Sequence, residues 1–236
     1  MAATYQPPQW LVPENNNTDK VGNYSFEFDG SGDYVVLSSD LSYADEFTIS
    51  TWINTPTIPT SVQGYYLGHS TNDNWVQISL TTSIRFKVGG TTLTFTESGG
   101  NDLVAGSWNH ILLYRNSSDD IGIYVNGATF SSTQNNTNTL LLDRFGVGKG
   151  QEYSGNIDEV GTWDVALGST EVTELYTNGP IDLNTDTGNY TSSSDLQAWY
   201  RMGDKVTSFP TIPDQVGSND GTATNMDIGD IVSDVP

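Results

Sequence analysis

The chain has 236 residues, of which 35% are hydrophobic and none is cysteine, and it carries a net charge of −21 from 8 basic and 29 acidic side chains. That length supports one sizeable core, and the lack of thiols excludes disulfides and cysteine metal sites. A surface this acidic excludes direct nucleic-acid binding, and no stretch approaches the ~20 apolar residues that span a bilayer.

The N-terminal residues 1–20 show no periodicity and hold Pro7, Pro8, Pro13 and the run Asn15-Asn16-Asn17. They read as an arm, with Trp10 as its anchor for docking on a neighbouring surface or on its own domain. The first twenty residues also lack the basic start and apolar core of a secretory signal. The sequons at Asn16, Asn23, Asn116, Asn135 and Asn189 are therefore read as chance in an Asn/Thr/Ser-rich chain.

From Tyr24 the pattern is that of a strand. Tyr24, Phe26 and Phe28 alternate with Ser25, Glu27 and Asp29, which predicts one buried face. Asp29-Gly30-Ser31-Gly32 is turn chemistry, and Asp33 opens a second apolar run to Leu37. Two carboxylates at one tight bend suit a hard cation such as Ca²⁺; as plain turn formers they need none.

Further strands follow in order. Phe47 to Asn54 alternates and is stopped by Pro56 and Pro59. Val62 to His69 and Asn74 to Leu80 flank a polar turn. Ile84 to Val88 and Thr91 to Thr96 flank Gly89-Gly90, a hairpin signal, and Asn126-Gly127 is another. Trp108 to Tyr114 is nearly all apolar and reads as a central strand; Ile121 to Val125, Leu140 to Gly148 and Gly155 to Trp163 complete the set. A helix is predicted over Ser169 to Asn178, with Ser169 as cap, Val172, Leu175 and Tyr176 as its apolar stripe, and Gly179-Pro180 as its stop. About a dozen short strands with turns between them predict an all-β, antiparallel two-sheet jelly-roll sandwich with one short helix.

The ordered set FDGSGDYVVL (28–37), EFTISTWIN (46–54), GSWNHILLYR (106–115), IGIYVNG (121–127) and GNIDEV (155–160) resembles the laminin-G-like domains of the concanavalin A-like lectin/glucanase superfamily. The resemblance covers roughly residues 23–180. It implies a structural Ca²⁺ held by Asp29, the carbonyl of Gly30 and Asp158, with Asp33 as a further ligand. Residues 195–222, including Trp199, Asp204, Asp214 and Asn219-Asp220-Gly221, match a segment that precedes the first strand in many such domains. Here it follows the helix. The order looks circularly permuted, or else the segment begins a second repeat. The expected organisation is an arm (1–20), a sandwich (21–180) and a C-terminal segment (181–236) that completes the sandwich and ends in a tail.

The arm, the altered order and the chain's end resemble laminin-G-like proteins of marine tailed phages. This implies a virion surface protein, made in the host cytoplasm, released by lysis and contacting other virion structural proteins; an extracellular location and a homo-oligomer are also compatible. The alternative is a Ca²⁺-dependent adhesin for cell-surface glycans. Sugar recognition needs an aromatic platform ringed by planar polar groups, and Tyr66, His69, Asn72, Asp73, Asn74 and Trp75 offer these types within one hairpin. The superfamily also contains β-glucan hydrolases. Neighbouring Asp158 and Glu159 alternate to opposite faces of a regular strand, however, and neither has a carboxylate two residues on, so the paired acids of a retaining enzyme are not expected. No enzymatic role is expected.

Overall fold

The computed structural model describes residues 22–58, 64–147 and 152–236. The predicted arm and its Trp10 lie outside these residues. In chain order the strands are β1 (Ser25–Asp29), β2 (Tyr34–Tyr43), β3 (Phe47–Asn54), β4 (Tyr65–Gly68), β5 (Trp75–Leu80), β6 (Ser83–Val88), β7 (Thr91–Thr96), β8 (Trp108–Arg115), β9 (Asp120–Val125), β10 (Ala128–Thr129), β11 (Gln134–Asn135), β12 (Leu140–Phe145) and β13 (Ser154–Trp163). Helix α1 (Ser169–Thr177) follows, then β14 (Leu196–Tyr200), β15 (Met202–Lys205), β16 (Thr211–Ile212), β17 (Gly221–Thr224) and β18 (Ile231–Val232).

These strands form two antiparallel sheets, of nine and eight strands, packed face to face. The nine-stranded sheet runs β10-β9-β8-β3-β13-β1-β18, with β11 on β9 and β14 on β13. The eight-stranded sheet runs β16-β17-β2-β12-β4-β5-β6-β7. Local sequence explains most elements. In β1, Phe26 and Phe28 are buried while Glu27 and Asp29 face water, as alternation requires. Gly89 (φ 51°) and Gly90 (φ 87°), and Asn126 (φ 50°) and Gly127 (φ 76°), adopt the left-handed pairs that close two-residue hairpins.

Between the sheets, Phe26, Phe47, Phe86, Phe95, Phe145 and the aliphatic side chains around them form the main core. A second apolar cluster lies on the other face of the nine-stranded sheet. There Leu112 and Trp163 meet Val172 and Leu175 of α1, together with Ile181, Leu183, Tyr190 and Trp199. This second layer explains why β3 and β13 are buried on both faces. The helix begins from Gly168 rather than from a Ser169 cap, and the Glu171 carboxylate accepts the Gly168 N–H at 3.0 Å. Tyr176 is partly exposed and stacks on Trp52 at 6.0 Å.

The C-terminal residues join both sheets. β14 pairs with β13, β17 with β2, and β18 with β1. Asp214 accepts the backbone N–H groups of Trp199, Val216 and Gly217 at 3.0–3.1 Å, so this acidic motif organises its own loop.

Candidate functional site

The bend between β1 and β2 is tightly hydrogen-bonded. Asp33 Oδ2 accepts the Asp29 N–H at 3.0 Å, Asp33 Oδ1 accepts from Asn225 at 3.1 Å, and Asp29 Oδ1 accepts the Ser31 N–H at 2.6 Å. Asp158 is not part of it. The β1–β13 register sets Asp29 opposite Ser154 and Phe26 opposite Ile157. Asp158 therefore lies four residues, about 13 Å, along the ladder from the level of Asp29. The ligand set Asp29, Gly30, Asp33 and Asp158 does not converge on one ion, and the expected Ca²⁺ does not fit these four residues.

Asp158 belongs instead to a buried acidic cluster. The β13–β3 register slips between Asp158 and Gly161, a bulge at which Glu159 takes φ 49°. A bulge suspends alternation, which corrects the expectation that Asp158 and Glu159 point apart. A side chain added at Gly22 would sit 3.3 Å from Glu159 Oε1, 3.5 Å from Asp204 Oδ2 and 3.7 Å from Asp158 Oδ2, so the three carboxylates face one point. Arg201 bridges two of them, with Nε 3.2 Å from Glu159 Oε1 and an Nη 3.3 Å from Asp204 Oδ2. Burial pushes the Glu159 carboxyl up to about 7 even against the Arg201 charge and the Trp199 hydrogen bond. Burial, with the charges of Glu159 and Asp204, pushes Asp158 up as well. All three acids are buried, with Glu159 in contact with Arg201 and Trp199 and Asp204 in contact with Arg201.

Beside this cluster lies a small, partly open pocket lined by Ser50, Trp52, His110 and Glu159, with Leu175 of α1 and Gly179, Pro180, Ile181 and Leu183 on its other side. His110 Nε2 is 2.7 Å from Ser50 Oγ, its Nδ1 has no partner, and burial pulls the ring down to about 3. Burial thus favours the neutral ring, and with Ser50 as its hydrogen-bond partner and no acid at Nδ1, His110 is a packed residue of β8.

The predicted sugar hairpin divides. Tyr66 is wholly buried in the core and cannot act as a platform. Trp75 is 6% exposed, with the Arg85 guanidinium 5.6 Å over its ring, so it offers no open face either. Asn74 is structural: its Oδ1 accepts the Gly89 N–H at 2.9 Å and its carbonyl accepts the His69 N–H at 3.0 Å. That leaves Asn72 and Asp73 at the exposed tip, where Asn72 holds φ 63° and Asp73 faces Lys87 at 3.6 Å. The Asp73 carbonyl accepts the Gly90 N–H at 2.8 Å, tying the tip to the next hairpin.

At the base of this turn, where β4 ends, the sequence reading missed a convergence. β12 lies between β2 and β4. Its register to β2 jumps from Leu142–Leu41 to Arg144–Val36, so residues 37–40 of β2 bulge opposite Asp143. On the other side Arg144 pairs with Gly68, which sets His69 across from Asp143. His69 Nε2 thus lies 3.3 Å from Asp40 Oδ2 and 4.0 Å from Asp143 Oδ2. Arg144 grips Asp143 in turn, at 2.7 and 3.2 Å. Burial pushes the Asp143 carboxyl up, but Arg144, Ser70 and His69 outweigh it and hold the group below its ordinary value. No local signal joins residues 40, 69 and 143; only the bulge and the two registers do.

A family model described as concanavalin A-like lectin/glucanases superfamily, of the laminin-G type, matches residues 29–173, more than half of the chain. Among curated proteins none matches the sequence. Among solved structures, a candidate carbohydrate-binding protein from Bacteroides ovatus superposes with a TM-score of 0.63 at 17% identity, over 86% of this chain and 58% of its own length. The chain thus spans little more than half of that protein. The heptameric SAP-like pentraxin of Limulus polyphemus superposes with a TM-score of 0.53 at 14% identity, over 66% of this chain and 83% of its own. At these identities the likeness is one of fold.

Proposed function

The chain belongs to the concanavalin A-like lectin/glucanase superfamily as a laminin-G-like domain, and from that membership we propose that it is a non-enzymatic module that binds carbohydrate. The observation that carries this reading is the rim around the β4–β5 hairpin. Asn72 and Asp73 stand exposed on a tip pinned by the Gly89-Gly90 turn, and Asp40 stands exposed against His69, the first residue of the same turn. Planar polar groups held in place by the scaffold are what hydroxyl recognition requires, because their ordering entropy is met on folding rather than on binding. With Tyr66 and Trp75 withdrawn into the body, contact with sugar is through hydrogen bonds, and modest affinity is expected. The Bacteroides ovatus protein, described as carbohydrate-binding, supports the same reading by analogy of fold.

A glycan array probed with the purified chain tests it. Binding to a defined set of glycans, lost when Asn72 and Asp73 are both changed to Ala with the melting curve unchanged, is the expected result. An array without hits, or hits indifferent to the double change, overturns the assignment.

Within this reading we place the module on the surface of a virus particle, where glycan contact would serve attachment. The resemblance to phage laminin-G-like proteins and the net charge of −21, suited to a basic neighbour, support that placement. Co-sedimentation with phage particles or their isolated structural proteins tests it, and failure to co-sediment at low ionic strength removes it.

A further inference from the structure

We propose that Asp40, His69 and Asp143 form a binding site for a divalent transition-metal cation of the Zn²⁺ class. One oxygen of each carboxylate and a ring nitrogen of the histidine all lie within 4.8 Å of one another, the only such group of three among the described residues. Zn²⁺ takes nitrogen at ≈ 2.0–2.1 Å and carboxylate oxygen at ≈ 2.0–2.2 Å, so tetrahedral ligand atoms stand roughly 3.3–3.5 Å apart. The separations of 3.3 and 4.0 Å from His69 Nε2 need little adjustment to meet that geometry. One imidazole with two carboxylates favours a borderline cation over Ca²⁺, which prefers six to eight oxygens. Three protein ligands leave a position open to water or to an incoming oxygen.

The surroundings are those of a supported site. Three neighbouring strands each supply one ligand at one level: Asp40 from the bulge of β2, Asp143 from β12, and His69 from the end of β4. The bulge is itself pinned. Asn219 Oδ1 accepts the Ser39 N–H at 2.8 Å, Asn219 Nδ2 donates to the Ser39 carbonyl at 3.0 Å, and the Asp220 carbonyl accepts the Ser38 N–H at 3.0 Å. Arg144 orients Asp143 through its two hydrogen bonds, in the manner of an outer shell that fixes a ligating carboxylate. On the far side of the ring, the Thr71 hydroxyl stands 2.8 Å from His69 Nδ1. It can accept the Nδ1 proton when Nε2 turns its lone pair to a cation; the Thr71 N–H contact to Nδ1, at 3.2 Å, is the one then given up. Two carboxylates beside one guanidinium leave a net negative charge to attract the ion.

The assignment does not depend on sugar binding, and its test contains no sugar. The full chain, freed of metal with a chelator, is titrated with Zn²⁺ and separately with Ca²⁺ by calorimetry, and with Co²⁺ by visible absorption. One Zn²⁺ per chain is expected, bound at least tenfold more tightly than Ca²⁺, with Co²⁺ giving the d–d bands of a low-symmetry nitrogen/oxygen site. Asp40→Asn, at a half-exposed position, should weaken Zn²⁺ at least tenfold without moving the metal-free melting curve; His69→Gln should abolish the Co²⁺ bands. Exposed Asp102→Asn, between β7 and β8 and outside the group of three, should change nothing. Absence of a Zn²⁺ heat, Ca²⁺ bound as tightly as Zn²⁺, or Asp40→Asn binding like the parent would each overturn the proposal.

Discussion

The Trp199 indole N–H donates to Glu159 Oε2 at 2.5 Å, across forty residues of chain. Arg201, two residues further on, holds the other oxygen of the same carboxylate. β14 and the residues after it therefore clamp the bulge of β13, and a strand edge becomes part of a buried charged cluster.

That cluster makes stability fall as the medium turns alkaline. The Glu159 carboxyl titrates near 4.5 when unfolded and near 7 when folded, because burial disfavours its charge. The folded state thus binds the extra proton, and its contribution is fully present below pH ~4.5 and lost as pH rises through ~7. Asp158 is shifted in the same direction. Denaturant unfolding from pH 4.5 to 8 should show a decline on the order of a few kcal/mol, and Glu159→Gln should make it shallower. A parent protein whose stability rises across that window would contradict this account.

Asp158→Asn separates the acidic cluster from a metal role. Asp158 Oδ1 accepts the Glu159 N–H at 2.8 Å, whereas Oδ2 has no partner. Burial disfavours the charged form of this carboxyl, so its replacement by a neutral amide of the same shape should leave the protein as stable as its parent, or more so, at pH 7 and above. Were Asp158 a Ca²⁺ ligand, the substitution would instead abolish a Ca²⁺-dependent rise in melting temperature.

Arg115 is wholly buried and spends its guanidinium on backbone carbonyls: Asp45 and Asn138 at 2.6 Å, Tyr43 at 3.2 Å, Asn136 at 3.4 Å. It also lies 5.1 Å over the Phe47 ring. A lysine cannot reproduce the planar fork. Arg115→Lys should therefore cost about 3 kcal/mol or more through carbonyls left unpaired, lowering the melting temperature by roughly 6–12 °C in a chain of this size.

Tyr66 offers the opposite case. Its hydroxyl is buried without a partner, and burial pushes its pKa far up. Tyr66→Phe should be neutral or stabilising by up to about 1 kcal/mol and should leave glycan binding untouched. Weaker glycan binding would return Tyr66 to the site.

Gly146 joins β12 to the first bend. At φ 73° its added methyl would stand 2.3 Å from the Phe28 ring and 3.0 Å from the Asp33 carbonyl. Gly100 has a similar φ of 81° but open space around it. Gly146→Ala should cost at least about 2 kcal/mol more than Gly100→Ala, because strain is common to both and the clash is not.

Most strands between residues 24 and 163, the hairpins, the helix and the two-sheet class were legible in the sequence, since alternation, Gly89-Gly90, Asn126-Gly127 and the stop at Gly179 act through neighbours in the chain; the short strands β10 and β11 and the C-terminal β14 to β18 were not. Which side chains meet was not. Asp29 and Asp158 are held apart by a register, Asp158 and Glu159 are brought together by a bulge, and Asp40, His69 and Asp143 converge through a second bulge pinned by Asn219. The side chains of a strand change face with each residue, so a one-residue slip reassigns every one of them. That slip is decided by pairing with distant strands, which no local pattern records.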